Sequence, residues 1–302
     1  MQRVGEGADM RNLSRQAIVI VVGIVGMAQV ACGQGMSPEE REAYTQRVLE
    51  APNPLEPSDS VWIEELTYME VRDRIAGGTT TAIVATGGIE QNGPYLTTGK
   101  HNVILQAICP AIAAELGNAL CAPIVRFVPE GDLDPPSGHM RFPGTFGVRD
   151  ATYEALLEDI ATSLKLHGFT DIAFIADSGG NLRGMQAVAD RLNARWAGDA
   201  ARIHNIESFY QPGWSETEKY TEDVLGMRQT RDDGHHDDMW VTALMMVTDP
   251  ESVRYRQRMD TDLASINGFD ISDLEATVEL GRKMVAFRAK HAADAIRASI
   301  DH

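Results

Sequence analysis

A buried strand is indicated by residues 79–86, which read TTTAIVAT and are followed at once by Gly87 and Gly88. Apolar and β-branched residues in an unbroken run are typical of a strand covered on both faces, and paired glycines mark its end. Two further runs of this kind cover residues 171–177 and 202–209. Because helical segments separate the three runs, the pattern predicts a parallel sheet with helices on both faces, that is, an α/β fold of three layers, α/β/α.

The helical segments are recognised by apolar spacing and by their end signals. Helices are predicted at residues 61–76, 102–116, 151–167, 182–196, 239–248 and 273–300. Ser272 and Glu275 have the spacing of a capping box for the last one. In a sheet of this type the functional site lies beyond the carboxyl ends of the strands, so the residues that follow residues 86 and 176 are the first to consider.

Length and charge limit the function further. The chain has 302 residues, 43% of them hydrophobic, which is enough for one large core. Its formal net charge of -17 repels a phosphate backbone. We therefore expect a small-molecule substrate and no nucleic-acid partner.

Three regions are expected along the chain. Residues 1–35 resemble an export signal, with Arg11 and Arg15 ahead of an apolar run from residue 17 to residue 28. Cys32 lies where a lipoprotein signal has its lipidated cysteine, and ordinary cleavage or an uncleaved anchor are the alternatives. Residues 36–60 form a polar, Pro-rich linker, and residues 61–302 form the folded domain. The protein is expected to be exported, either periplasmic or anchored as a lipoprotein, and Cys109 and Cys121 to be core fillers or a disulfide.

Residues that bind metals are concentrated in three segments. Residues 87–101 carry Glu90 and His101 on a long loop after the first strand, residues 177–181 begin with Asp177, and residues 232–238 read DDGHHDD ahead of a helix. Taken singly, each is explained as a loop carboxylate, a helix cap or a solvated helix start. Together, at predicted strand and helix boundaries, they indicate a site for a cation such as Zn, Mn or Fe.

Four motifs in this order resemble those of the creatininase family. Residues 90–94 (EQNGP) resemble E-Q-H-G-P-H, and residues 139–145 (HMRFPGT) resemble H-x-x-F-P-G-T. Residues 177–181 (DSGGN) stand where the family has N-G-H-G-G-N, and residues 234–238 (GHHDD) where it has H-A-G-E-x-E-T. The resemblance extends over about residues 61–255. It implies a creatininase-like fold, a homo-oligomer, and metal-dependent hydrolysis of a C–N bond in a cyclic amide, a formamide or a related small molecule.

The family's metal ligands are only partly kept. Glu90 matches the first ligand, but Asn92 replaces a histidine, His101 replaces the bridging aspartate and Ser178 replaces another histidine. An imidazole nitrogen binds one metal only, so the bridge cannot be copied. We therefore predict a rearranged site for one or two divalent ions. Its predicted ligands are Glu90, His101, Asp177, His236 and Asp237.

The remaining roles follow from this reading. Asp177, His236 and His139 are predicted to transfer protons in catalysis. Asn92, Ser178, Gly179 and Gly180 are predicted to contact the substrate. The alternatives are a protein of the same fold that binds a metal or small ligand without turnover, a metal-free assembly subunit, and a hydrolase of a cyclic ketone or a peptide.

Overall fold

The computed structural model describes residues 35–301. The apolar run of the predicted export signal and Cys32 lie outside the described residues. Within residues 35–301 there is no helix both long enough and apolar enough to cross a membrane.

The chain divides into two compact units at Glu56. In the first unit, helix α1 covers Pro38–Glu50, inside the stretch predicted to be a linker. Ser37 and Glu40 form a capping box that fixes its first turn. No helix was predicted here, because the segment has no apolar face: none of the residues of α1 is buried.

The second unit contains a four-stranded sheet, all parallel, in the order β2-β1-β3-β4. The strands are β1 (Thr81–Thr86), β2 (Ala119–Cys121), β3 (Asp171–Ala176) and β4 (Arg202–Asn205). The sequence did not predict β2, which is only three residues long. The third predicted strand, at residues 202–209, is too long: the chain leaves the sheet after Asn205 and turns through a short 3-10 helix at Glu207–Phe209.

Helices alternate with the strands as far as β4, and several helices follow it. They are α2 (Tyr68–Ala76), α3 (Lys100–Leu116), α4 (Asp150–Leu166), α5 (Leu182–Arg195), α6 (Gly213–Asp223), α7 (Met239–Thr248), α8 (Tyr255–Asp260) and α9 (Leu274–Ile300). A two-stranded hairpin, β5 (Ser265–Ile266) and β6 (Phe269–Asp270), precedes α9.

The start of α2 and the cap of α9 differ from the prediction, and α3 begins at Lys100, two residues earlier than predicted. The segment predicted as one helix from residue 61 instead forms a 3-10 turn at Ile63–Glu65, and α2 begins only after Thr67, whose hydroxyl accepts from the Glu70 amide. The predicted capping box of Ser272 with Glu275 is wrong. Asp273 caps α9 instead, because its carboxylate accepts the backbone N–H of Ala276.

The two faces of the sheet carry separate cores. Ile83 and Ala85 of β1 point to the face that α3, α7 and α9 cover. Ala82 and Val84 point to the opposite face, under α4 and α5. This alternation is what a strand buried on both sides requires, and it confirms the prediction of a three-layer α/β/α fold.

A disulfide joins the sheet to one of its helices. Cys109 of α3 and Cys121 of β2 are paired, with a Cα–Cα distance of 6.3 Å, and both are fully buried. Of the two alternatives that the sequence left open, the structure has the disulfide.

Candidate active site

The site lies where β1 and β3 end side by side. The two strands pair in register up to Thr86 and Ala176, so the chain leaves the sheet at the same edge in both places. Two buried amides hold the following loops. The Asn102 side chain donates to the carbonyl of Gly88 (2.8 Å), and the Asn181 side chain donates to the carbonyl of Gly87 (2.9 Å). Glu90 and Asp177 are thereby fixed on either side of the start of α3.

Four buried side chains form a continuous line of hydrogen bonds, which we call the relay. The Nε2 atom of His101 lies 2.9 Å from Oε1 of Glu90, and its Nδ1 atom lies 2.8 Å from Oδ2 of Asp177. Arg288 of α9 donates to Oδ1 of Asp177 at 2.8 Å. None of the four is more than 3% exposed. The relay therefore fixes Glu90 to the core of the protein.

The charges of the relay favour its ionised form. Burial would raise the pKa of Asp177, but the Arg288 guanidinium and the His101 ring outweigh it and the pKa is lowered. Burial and the nearby Lys100 would lower the pKa of His101, but its hydrogen bonds to Asp177 and Glu90 raise it. The pKa of Glu90 is lowered as well, because His101, Lys100 and His236 overcome the effect of its burial.

Glu90 is also the centre of a second group, at the surface of a cleft. The Nε2 atom of His139 lies 3.3 Å from its Oε2, and the Nδ1 atom of His236 lies 3.3 Å from its Oε1. The two imidazole rings stack, with centroids 5.4 Å apart. One donor atom from each of Glu90, His139 and His236 lies within 4.8 Å of the others, which makes them a candidate metal site.

The state of His236 suits a metal. Burial and the Lys100 ammonium lower the pKa of His236 to about 4. The ring is therefore neutral at pH 7, and a neutral imidazole has the free lone pair that a metal ligand needs.

Glu130 adds a carboxyl group beside Glu90. Burial, together with the Glu90 charge, raises the pKa of Glu130 to about 8, so that it is protonated at neutral pH. The Oε1 atom packs on Gly88, where a Cβ atom would come within 2.3 Å of it. A side chain at residue 88 would therefore displace Glu130.

The cleft above these groups has a volume of about 890 Å³. Its floor contains Glu90, His101 and Glu130, and Tyr210 and Trp214 form part of its wall. The other lining residues are Pro129, Gly131, Asp132, Leu133, Asp134, Ser137, His139, Val148, Arg149, Asp150, Ser178, Gly179, Gly180, Arg183 and His236. The lining is mostly polar, which suits a polar small molecule.

The structure brings together only some of the predicted metal ligands. Glu90 and His236 belong to the candidate metal site, and His139, predicted as a proton carrier, takes the third place. His101 has both ring nitrogens bound to carboxylates, so it offers no free lone pair toward the cleft in this arrangement. Asp177 is 0% exposed and pairs with Arg288, behind the cleft. In this arrangement Asp177 holds the His101 ring in place, and it is too deeply buried to reach a substrate in the cleft.

Asp237 faces away from this group. It is fully buried next to Gly93, on the other side of the Glu90 loop, where a Cβ atom at residue 93 would lie 3.1 Å from its Oδ2. Neither of its carboxylate oxygens has a hydrogen-bond partner among the described residues. The reason is the direction of the chain: His236 points into the cleft, and the residue after it points into the core.

The predicted substrate residues divide in the same way. Ser178, Gly179 and Gly180 line the cleft, and their contact with a substrate stays a prediction. Asn92 is 1% exposed and donates to the carbonyls of Glu90 (2.9 Å) and Thr97 (3.2 Å). Its observed role is to hold the loop.

The sequence analysis missed Lys100, Glu130 and Arg288. Lys100 was adjacent to a predicted ligand, at the first residue of a helix, where a cation is unfavourable. Arg288 stood out as a charged residue on the apolar face of the last helix, between Val285 and Ala289. Glu130 had no signal beyond its place in a Gly- and Pro-rich loop.

A parallel α/β sheet with a carboxylate beyond a strand end, joined by two histidines from other loops, defines the class: an α/β protein with a candidate metal centre. Comparison with known proteins gives the family. Residues 64–296 match the family model Creatininase, described as creatinine amidohydrolase. The match covers most of the chain, so the protein belongs to the creatininase family, and the resemblance noted in the sequence is confirmed.

Individual relatives agree with this assignment. A creatinine amidohydrolase of Pseudomonas putida is 30% identical over 111 residues, which are 37% of this chain and 42% of that protein. A mutant creatininase described as Zn-Zn type superposes with a TM-score of 0.59 at 22% identity, covering 81% of this chain and all of the other. A structure described as creatininase Mn gives 0.57 at 21% identity, with 81% of this chain and all of the other covered. The structural matches confirm the fold.

Proposed function

We propose that this protein is a hydrolase that uses a single divalent metal ion to cleave a C–N bond in a polar small molecule. The observation that supports this most directly is the convergence of Glu90, His139 and His236 at the floor of the cleft. Membership of a family described by an amidohydrolase activity gives the reaction class.

The residues present fit one metal ion. A carboxylate oxygen and two imidazoles are a usual donor set for a catalytic zinc or manganese site, which keeps a position open for water or substrate. His236 is neutral and Glu90 is ionised, so both are in the form that binds a cation. His101 and Asp177 are bound to each other and supply no second site. One relative is described as Zn-Zn type, and this chain is proposed to differ from it in the number of ions.

A metal ion held there would polarise a carbonyl group and make water acidic enough to attack at neutral pH. The protein's own side chains orient the metal ligand and supply the proton. The relay from Arg288 through Asp177 and His101 holds Glu90 in one orientation. Glu130 lies in the floor of the cleft, where the Glu90 charge and burial raise its pKa to about 8, and we assign it the delivery of a proton to the leaving nitrogen.

The proposed substrate class is a cyclic amide, a formamide or a related small molecule, with a cyclic ketone or a peptide as alternatives. A relative is named creatinine amidohydrolase, and the polar lining of the cleft, with Tyr210 and Trp214 on one side, suits a flat polar ring. A cleft of about 890 Å³ leaves room for a molecule with a polar extension beyond the ring.

The test combines metal analysis with turnover. Purified protein is loaded with Mn²⁺ or Zn²⁺ and assayed on a panel of lactams, formamides and dipeptides, with and without a chelator. We expect about one ion per chain, and hydrolysis that the chelator abolishes and Glu90→Gln removes. His167→Gln, at an exposed position at the end of α4, is the matched control. Turnover that survives full removal of metal would refute the proposal.

A second candidate function is binding without turnover, on the same fold. It is favoured by the hydrogen bonding of His101 to both Glu90 and Asp177, which leaves the imidazole without a free nitrogen and keeps Asp177 buried behind the cleft. Saturable binding of a panel member with no product after prolonged incubation, by a metal-loaded protein, would favour this alternative.

Export and assembly are proposals of their own. Export through the signal in residues 1–35, with Cys32 lipidated, is supported by the Cys109–Cys121 disulfide, since such bonds persist in oxidising compartments. Cell fractionation with mass analysis of the N-terminal peptide tests it. A homo-oligomer is supported by the exposed rings of Phe127, Phe142 and Phe146 near the cleft, and light scattering tests it.

A further inference from the structure

Lys100 occupies a place that is unfavourable for a lysine on two counts. It is the first residue of α3, where the helix dipole repels a cation, and no side chain caps this end of the helix. It is also 1% exposed, although a buried ammonium group is costly unless it is paired. A residue that breaks both local rules is expected to serve a site.

The partners of Lys100 belong to the candidate metal site. Its Nζ atom lies 3.1 Å from Oε1 of Glu90, and 3.4 Å and 3.5 Å from the two ring nitrogens of His236. Oε1 of Glu90 already accepts from His101 at 2.9 Å. The opposite oxygen, Oε2, faces His139 at 3.3 Å. Oε1 of Glu90 is thus in contact with Lys100 and His101, with Nδ1 of His236 3.3 Å away, whereas Oε2 is in contact with His139.

We propose that Lys100 is an internal cation of this site, which competes with divalent metal for Glu90 and limits the site to one ion on the Oε2 side. The ammonium group neutralises part of the Glu90 charge and repels a dication a few ångströms away. Lys100 is not among the described residues that line the cleft, and it acts through Glu90 and His236. It is therefore a positioning residue. This role of Lys100 rests on the proposed metal-dependent function, because it concerns the same donor, Glu90.

The consequence is that removing Lys100 strengthens metal binding. A residue with a purely structural role would do the opposite, since its loss would loosen the donors. The sign of the change therefore separates the two explanations, and its measurement needs no substrate.

The experiment is a calorimetric titration of metal-free protein with Mn²⁺, for the wild type, for Lys100→Met and for Lys100→Gln. Lys283→Met, at an exposed position of α9, is the control. We expect Lys100→Met and Lys100→Gln to bind Mn²⁺ about tenfold more tightly or more, or to take up a second ion. The control is expected to match the wild type, and far-ultraviolet circular dichroism checks that each variant is folded.

The outcomes distinguish this inference from the proposed function. Tighter binding or a second ion in the Lys100 variants supports the inference. If only the variants bind Mn²⁺, the inference holds and the metal-dependent function of the natural protein fails. If the wild type binds one ion and the variants bind it equally or more weakly, the inference fails and the function stands. If no variant binds Mn²⁺, both fail.

A second measurement on the wild type covers the case in which the variants do not fold. A crystal soaked in Mn²⁺ is expected to show one anomalous peak, at Oε2 of Glu90 with His139 and His236, and Lys100 still on Oε1. A peak on the Oε1 side, with the Lys100 side chain displaced, would overturn the inference, as would two peaks.

Discussion

Arg288 of α9 and Asp177 at the end of β3 form a 2.8 Å ion pair in which neither side chain is more than 2% exposed. The pair links the last helix to the strand end that carries the site. Arg288 also lies over the ring of Phe209, 4.4 Å from its centroid. The C-terminal helix is therefore connected to Glu90 through Asp177 and His101.

Arg288→Met is expected to destabilise the protein by about 3–5 kcal/mol, because it leaves the Asp177 carboxylate buried without its cation. Urea unfolding at pH 7 measures the change. Arg282→Met, in the same helix but with a side chain 60% exposed, is the control and should change stability by less than about 0.5 kcal/mol. A loss below about 1 kcal/mol in Arg288→Met would show that the pair is not a determinant of stability.

A pH-dependent contribution to stability is expected from Glu70. Its pKa is lowered by hydrogen bonds from Thr67, and also by Ser58 and Arg74. Because the folded-state pKa lies below the unfolded value of about 4.3, this contribution is present above that value and is lost as the pH falls through the lowered pKa.

Glu70→Gln tests this contribution. It should lower the urea midpoint at pH 7, and the difference from the wild type should shrink toward pH 3. Glu64→Gln, at an exposed position of the 3-10 turn that precedes α2, should show no such trend. A difference that stays constant across this range would contradict the assignment.

Metal binding should depend on His139, which the sequence analysis assigned to proton transfer and not to the metal. His139→Ala removes one of three donors and is expected to weaken Mn²⁺ binding by roughly 100-fold or more. His101→Asn keeps a hydrogen-bonding side chain in the relay and should affect affinity less. Calorimetry on both variants decides between the ligand set of the structure and the predicted one. If His101→Asn lost more affinity than His139→Ala, the predicted role of His101 as a direct ligand would be restored.

The sequence predicted best those elements whose bounds depend on residues that are neighbours in the chain. The unbroken run at residues 79–86 was enough to predict a central buried strand, because a short β-branched apolar run ended by paired glycines is typical of a strand covered on both faces. The boundaries of α7 were predicted to the residue, since Pro250 follows its end closely. The motif at residue 90 likewise located Glu90 at the correct strand end.

The ligand set was harder to predict because it depends on side-chain direction. His236 and Asp237 are neighbours in sequence, yet one lies in the cleft and the other is buried against Gly93. Spacing alone cannot distinguish them where the chain has no regular secondary structure, as in residues 228–238. Arg288 is more than a hundred residues from Asp177, and only the packing of α9 on the sheet brings the two together.

The position of Glu130 should be sensitive to the residue it packs against. Gly88 has φ of 156°, and a Cβ atom there would lie 2.3 Å from Oε1 of Glu130, far inside van der Waals contact. Gly88→Ala must therefore displace the Glu130 carboxyl from its place beside Glu90, and it also strains the backbone two residues before Glu90. We expect hydrolysis of whichever panel substrate is turned over to fall by about 100-fold, within the range that loss of a general acid produces.

Mn²⁺ affinity of Glu130→Gln should stay within about threefold of the wild type, a change of less than 1 kcal/mol, since this substitution leaves the three donors of the metal site in place. Gly198→Ala, at an exposed position where an added Cβ atom meets nothing within 4 Å, is the matched control for Gly88→Ala. Glu130→Gln should reproduce the loss of turnover with the glycine intact. If Gly88→Ala and Glu130→Gln both kept full turnover, proton delivery would have to come from another group of the cleft, and His139 would be the next to test.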